Sequence, residues 1–196
     1  MKRVAVLAVC ALLLAGCSPV AREPDDLALA RVLGVDGTAP VTLVAVSGAD
    51  TQGETIGGIV TADGFRRGKE ALPWSGTAKE LSLTGVSYLV VGPDVDLKAL
   101  VFMVLEDEAL GAAITVWLAA EGAGDLLASC EDPAADLELL VLRGVNAPTV
   151  AQAAAAISGG EELSLPCLVA EDKRLKERGE ISWEGMQSDY PGGSSR

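Results

Sequence analysis

The chain contains no histidine at all. That absence removes Ser-His-Asp and Cys-His catalysis, imidazole metal sites and histidine-based pH switching. Basic residues are scarce: 15 Lys and Arg stand against 28 Asp and Glu, a formal charge of −13 over 196 residues. A phosphate backbone needs clustered cations, so nucleic acid is excluded as a partner. Aromatic residues make up only 4%, too few for a base-stacking platform. No apolar run is long enough to span a bilayer. The longest, residues 4–15, would rise only about 18 Å as a helix against a hydrocarbon core of about 30 Å. What the chain does have is apolar bulk, 49% of its residues, enough to bury a core and to exclude wholesale disorder.

Lys2 and Arg3 precede that apolar run, which ends in Leu14-Ala15-Gly16-Cys17. A basic start, a short apolar stretch and small residues before a cysteine form the pattern of a bacterial lipoprotein signal. This predicts cleavage before Cys17, with diacylglycerol on its thiol. Residues 1–16 are then signal peptide, 17–24 a lipid-anchored tether, 25–187 a single mixed domain and 188–196 a polar tail. Without Lys2 and Arg3, 13 basic residues face 28 acidic ones, a charge of −15. Such a chain gains no electrostatic attraction to an anionic membrane, so the lipid alone must anchor it. The expected location is the outer face of the cytoplasmic membrane.

Cys10 leaves with the signal and Cys17 carries the lipid, which leaves Cys130 and Cys167. They are either one disulfide closing a loop of about 37 residues or two separate buried thiols. Without histidine or a C-x-x-C spacing, neither zinc nor thioredoxin-like chemistry is supported.

Hydrophobic patterning predicts an α+β fold: one mixed sheet with several packed helices. Residues 27–33 read as a short helical or extended run, and 41–46 as a buried strand. Residues 47–58, rich in Gly, Thr and Asp, read as loop, leading into Ile59-Val60-Thr61. Residues 65–76 give no clear assignment. At 86–91 a strand is followed by a helix over 94–105, where Leu97, Leu100, Val101, Val104 and Leu105 make one apolar face that Asp94 or Asp96 can cap. A buried strand at 113–119 completes a β-α-β crossover around 86–119. Helices follow at 124–130, 135–142 and 149–157. Two late strands are expected at 165–170 and 179–186, joined by a charged link over 171–178.

No catalytic constellation emerges, so the chain reads as non-enzymatic with no cofactor or metal. The acidic groups Asp25-Asp26, Asp94 with Asp96, residues 106–108, Glu131-Asp132 and Glu161-Glu162 read as solvated turns and caps. Asp94 and Asp96 lack the later Gly and Glu of a calcium loop. Gly85-Val86-Ser87-Tyr88-Leu89 misses the second Gly of a nucleophile elbow. Residues 47–58 lack the Lys of a phosphate loop. Trp74, Trp117 and Trp183 read as core or interface residues.

The order of these parts resembles the amino-terminal domain of the Ger(x)C lipoproteins, the C subunits of spore germinant receptors. The resemblance rests on Cys17 followed by Arg22-Glu23, Leu27-Ala28 and Gly34-Val35-Asp36. It continues through Gly85 before a strand ending at Gly92, the helix 94–105, Asp107 leading into 113–119, and Ile181-Ser182-Trp183-Glu184-Gly185-Met186. It implies a role in nutrient-triggered germination, docking on polytopic receptor subunits in the spore inner membrane. Cys17 would be the lipid anchor, with Arg22, Glu23 and Asp36 as structural signature. Two other classes remain open: an envelope lipoprotein that binds a small ligand, and an acidic hydrolase with two convergent carboxylates.

Overall fold

Strand, helix and strand at the centre of the chain form the middle of one mixed sheet. A computed structural model describes residues 27–49, 55–72 and 80–183, which hold eight strands and five helices. In chain order these are β1 (Leu27–Asp36), β2 (Val41–Ala49), β3 (Thr55–Ala62), α1 (Phe65–Ala71), β4 (Glu80–Ser82) and β5 (Tyr88–Val91). Then come α2 (Leu97–Leu105), β6 (Thr115–Ala119), α3 (Ala123–Ala128), α4 (Pro133–Leu142), α5 (Val150–Gly159), β7 (Ser164–Glu171) and β8 (Arg174–Ser182).

The strands lie in the order β3-β2-β1-β5-β6-β7-β8, with short β4 beside the start of β1. β1, β5, β6 and β7 are parallel, while β2, β3 and β8 add antiparallel margins. The expected α+β class is what forms, and the expected β-α-β unit is β5-α2-β6.

Both faces of the sheet are covered, so its central strands are apolar throughout. Leu89 and Val91 of β5 face a core shared with α1, α2 and α5; Tyr88 and Val90 face a second core beneath α3 and α4. Arg31 is an extra residue opposite β2, a bulge that shifts the alternation of β1. It lets Ala28, Ala30, Leu33 and Val35 share one face, while Val32 faces the other.

The helices start where chemistry allows. Asp96, not Asp94, caps α2 by accepting the Ala99 N–H at 3.0 Å. α2 buries Leu97, Leu100, Val101 and Val104, each contributing roughly 1.5–3 kcal/mol. It ends at Leu105, before the acidic residues that would oppose its dipole. Thr149 and Gln152 form a reciprocal capping box on α5, and Gly160 closes that helix with φ of 66°.

Two expectations change and two open assignments are settled. Residues 27–33 are extended, and β1 continues to Asp36. The expected loop at 47–58 is mostly strand, since β2 runs to Ala49 and β3 begins at Thr55. Unassigned residues 65–76 contain α1. The charged link at 171–178 is a hairpin: Asp172 and Lys173 form its two-residue turn with φ of 53° and 60°, and β8 starts at Arg174. The signal, the tether and residues 184–196 lie outside the described residues.

Candidate functional site

In sheets with parallel strands, ligands gather at the carboxyl ends of those strands. Here β1 ends at Asp36, whose two oxygens accept the N–H groups of Ala123 and Gly124 at 2.6 and 2.7 Å. Residue Gly122, at the usual cap position, has no side chain to do this, so β1 caps α3 from across the sheet. Two glycines make room. A Cβ on Gly34 would come 2.7 Å from Leu127 Cδ1 of α3, and one on Gly92 would collide with the Asp36 carboxylate. Gly34-Val35-Asp36 therefore fastens α3 onto β1. The helix terminus where an anion would sit already holds a carboxylate.

Beside this clamp lies a cavity of about 370 Å³ at the ends of β6 and β7. Leu126, Leu168 and Ala170 supply its apolar wall, and Glu121, Asp125 and Arg178 its charged rim. Glu171, also on the rim, is held below the usual carboxylate range by its hydrogen bond and ion pair with Lys176 at 2.8 Å. A cavity of this size accommodates a small organic molecule.

The acidic clusters do not converge into a catalytic pair among the described residues. Asp96 and Asp132 cap helices, the latter through the Ala135 N–H at 3.0 Å. Asp107 pairs with Lys69 and accepts the Ala109 N–H. Burial pushes its carboxyl up, but Lys69 and backbone N–H groups outweigh this and leave it below its ordinary value. Glu131 pairs with Lys173 at 3.2 Å, and Glu161 and Glu162 are exposed. No cluster of described residues has the make-up of a metal site. Ser87 donates its hydroxyl to the Gly85 carbonyl at 3.4 Å.

Cys130 and Cys167 are free thiols on opposite faces of the sheet: Cys167 lies in the core beneath α2 and α5, and Cys130 packs against the other. The disulfide alternative is thus not formed, and desolvation pushes both thiols up, away from reactive thiolate. Trp117 is fully buried with its indole N–H donated to Thr115, and Trp183 packs at the core's edge. Cys17, Arg22, Glu23, Asp25, Asp26 and Trp74 lie outside the described residues.

One polar residue was missed by sequence reasoning. Asp136, 3% exposed, accepts from Arg174 Nε at 2.5 Å and from the Leu175 N–H at 2.8 Å, tying α4 to β8. Its signal was present: Asp136 falls on the same helical face as Pro133, Leu137 and Leu140, all buried.

No family model, curated protein or solved structure matches this chain. Among the described residues, no helix is long and apolar enough to cross a membrane.

Proposed function

We propose that the protein is a lipid-anchored, non-enzymatic domain of the bacterial envelope that acts as an accessory subunit beside polytopic germinant-receptor subunits. The observation that carries this reading is the leader: Lys2 and Arg3, the apolar residues 4–15, and Leu14-Ala15-Gly16-Cys17. Two acyl chains on Cys17, at about 0.8 kcal/mol for each buried CH₂, hold a folded domain at a bilayer without help from its charge. The receptor role rests on the resemblance to Ger(x)C proteins. It gains support from the work done by Gly34 and Asp36, which lock α3 to β1 as a structural signature would. The non-enzymatic reading is supported by the engagement of Asp36, Asp96, Asp107, Asp132 and Asp136 in caps and ion pairs.

The test is a mild-detergent pull-down of the tagged protein from host spore membranes, with partners identified by mass spectrometry. Polytopic receptor subunits should co-purify and be lost in Cys17→Ala. Recovery of the anchored protein alone sinks the receptor role.

The cavity at the ends of β6 and β7 favours a second reading, an envelope lipoprotein that binds a small ligand there. A ligand would raise the melting temperature with concentration, and Ala170→Trp, which fills the cavity, should abolish the rise. Absence of any stabilising compound in a broad small-molecule screen would count against it.

A further inference from the structure

β3 closes one side of the sheet: β2 pairs with one of its edges, and no described strand lies on the other. A bare edge offers a row of unpaired N–H and C=O groups, which proteins usually blunt with charge, proline, a bulge or a covering element. The opposite margin is blunted in this way. β8 carries Arg174, Lys176, Glu177, Arg178 and Glu180, and it bulges where Arg178 and Gly179 together oppose Cys167. β3, Thr55-Ile56-Gly57-Gly58-Ile59-Val60-Thr61-Ala62, holds no charged residue and no proline. α1 covers one of its faces, and on the other Ile59 is 59% exposed.

We propose that β3 is a self-association edge, along which two copies of this chain pair antiparallel about a two-fold axis near Ile59 and join their sheets. A strand paired with its own copy is isologous, so each residue near the axis meets itself or a close neighbour. Any charge there would face its like across the strands, which is destabilising. β3 meets this condition along its whole length, whereas on β8 an axis at Glu177 would set Glu177 against its own copy and Lys176 against Arg178. A second copy is therefore the occupant that β3 fits without needing a complementary partner sequence. The first charge after the strand, Asp63, is neutralised within its own copy by Arg67 at 3.0 Å. At −13 for each chain, two copies repel at long range. Salt screens this beyond about 8–10 Å, so the pairing should strengthen as salt rises, unlike an ionic interface.

The experiment measures the protein mass of the full chain in detergent micelles by light scattering, at low and physiological salt. Wild type should contain two copies, more completely at the higher salt, and Ile59→Lys should contain one while keeping its melting transition. In parallel, with Cys130→Ser as background, Ile59→Cys and Lys176→Cys are treated with a short bis-maleimide. Ile59→Cys should give a covalent homodimer and Lys176→Cys should not. A wild type of one copy at both salts with no cross-link through Ile59→Cys overturns the proposal, whatever other strand occupies the edge. A dimer that survives Ile59→Lys and cross-links through Lys176→Cys overturns it equally.

Discussion

The two margins of the sheet are held by opposite means. β8 is fastened by charge: Asp136, buried beneath it, takes Arg174 and the Leu175 N–H, and Lys173 reaches Glu131 across the turn. β3 is fastened by apolar packing. α1 lies against β2 and β3, with Gly68 close enough to Leu43 that a Cβ there would come 2.8 Å from its Cδ1. Two ion pairs add to this on that side: Lys69 with Asp107 beyond α2, and Arg67 with Asp63, the latter exposed to solvent. β8 also carries Lys176, Glu177, Arg178 and Glu180, charges that discourage a further strand along its outer edge. The packing that holds β3 leaves its outer edge free of charge. How an edge is attached thus decides whether it stays open.

The comparison breaks first at Asp136. Asp136→Ala leaves the buried Leu175 N–H without its acceptor and Arg174 without its carboxylate, at a cost of about 2–4 kcal/mol. Urea denaturation should show the midpoint fall with an unchanged slope; a loss below about 1 kcal/mol would mean that β8 is held mainly by its ladder with β7. The centre of the sheet provides the reference for both margins. Gly92→Ala crowds the Asp36 carboxylate against α3 and should cost about 1–3 kcal/mol in the same assay. Arg31 and Glu138 tie α4 to β1 at 3.8 Å but are both largely exposed, so their loss should matter much less.

A third substitution sharpens the comparison without touching the core. Lys176→Thr with Arg178→Thr removes two of the three cations of β8, leaving Arg174 on Asp136, while retaining its bulge. Stability should scarcely move, because Lys176 is exposed and its ion pair with Glu171 is solvated. Association should change instead. With only Arg174, Glu177 and Glu180 left charged on β8, light scattering should detect assemblies larger than the pair formed through β3. If the double variant scatters like wild type, the bulge at residues 178–179 and the remaining charges of Arg174, Glu177 and Glu180 are sufficient to close that edge.

What could be read from residues alone follows the same division. The β5-α2-β6 unit was legible because its strands are unbroken apolar runs and its helix has an apolar face with a cap at Asp96. Both margins hid. β3 contains Gly57 and Gly58, which read as loop, and its strand character comes from pairing with β2. Residues 174–178 of β8 read as a charged link, and only 179–182 as strand, because an edge strand in water has little apolar side to show. α1 is seven residues long, starts at Gly64 with no side-chain cap, puts Arg66 and Arg67 at the positive end of its dipole and contains Gly68. Apart from Lys69 in the last turn and the Asp63–Arg67 pair, local signals oppose a helix there, so packing against Leu43 and the sheet must hold it. The site was partly legible: Gly34 and Asp36 stood out as a block, but their task, capping α3 some 87 residues later, is a long-range contact that spacing cannot reveal.

The smallest effect tests how far the β3 side depends on charge at all. Lys69 and Asp107 are both partly shielded, with side chains 24% and 13% exposed, and Asp107 titrates below its ordinary value when folded. A carboxyl depressed on folding contributes stability that is fully present above its unfolded value, near pH 4, and is lost as pH falls through the lower folded value. Wild type should therefore exceed Asp107→Asn by about 1 kcal/mol at neutral pH, with the gap closing only below about pH 4. Melting curves from neutral pH down to about pH 3 measure this. A gap that stays constant to the acid end would assign the effect to Asp107's contacts with the Ala109 and Leu110 N–H groups, which an Asn oxygen keeps only in part, and not to its charge. Either way the effect should stay below that of Asp136→Ala, because the β3 side is held mainly by Phe65, Leu43 and Val60 in the core beneath α1.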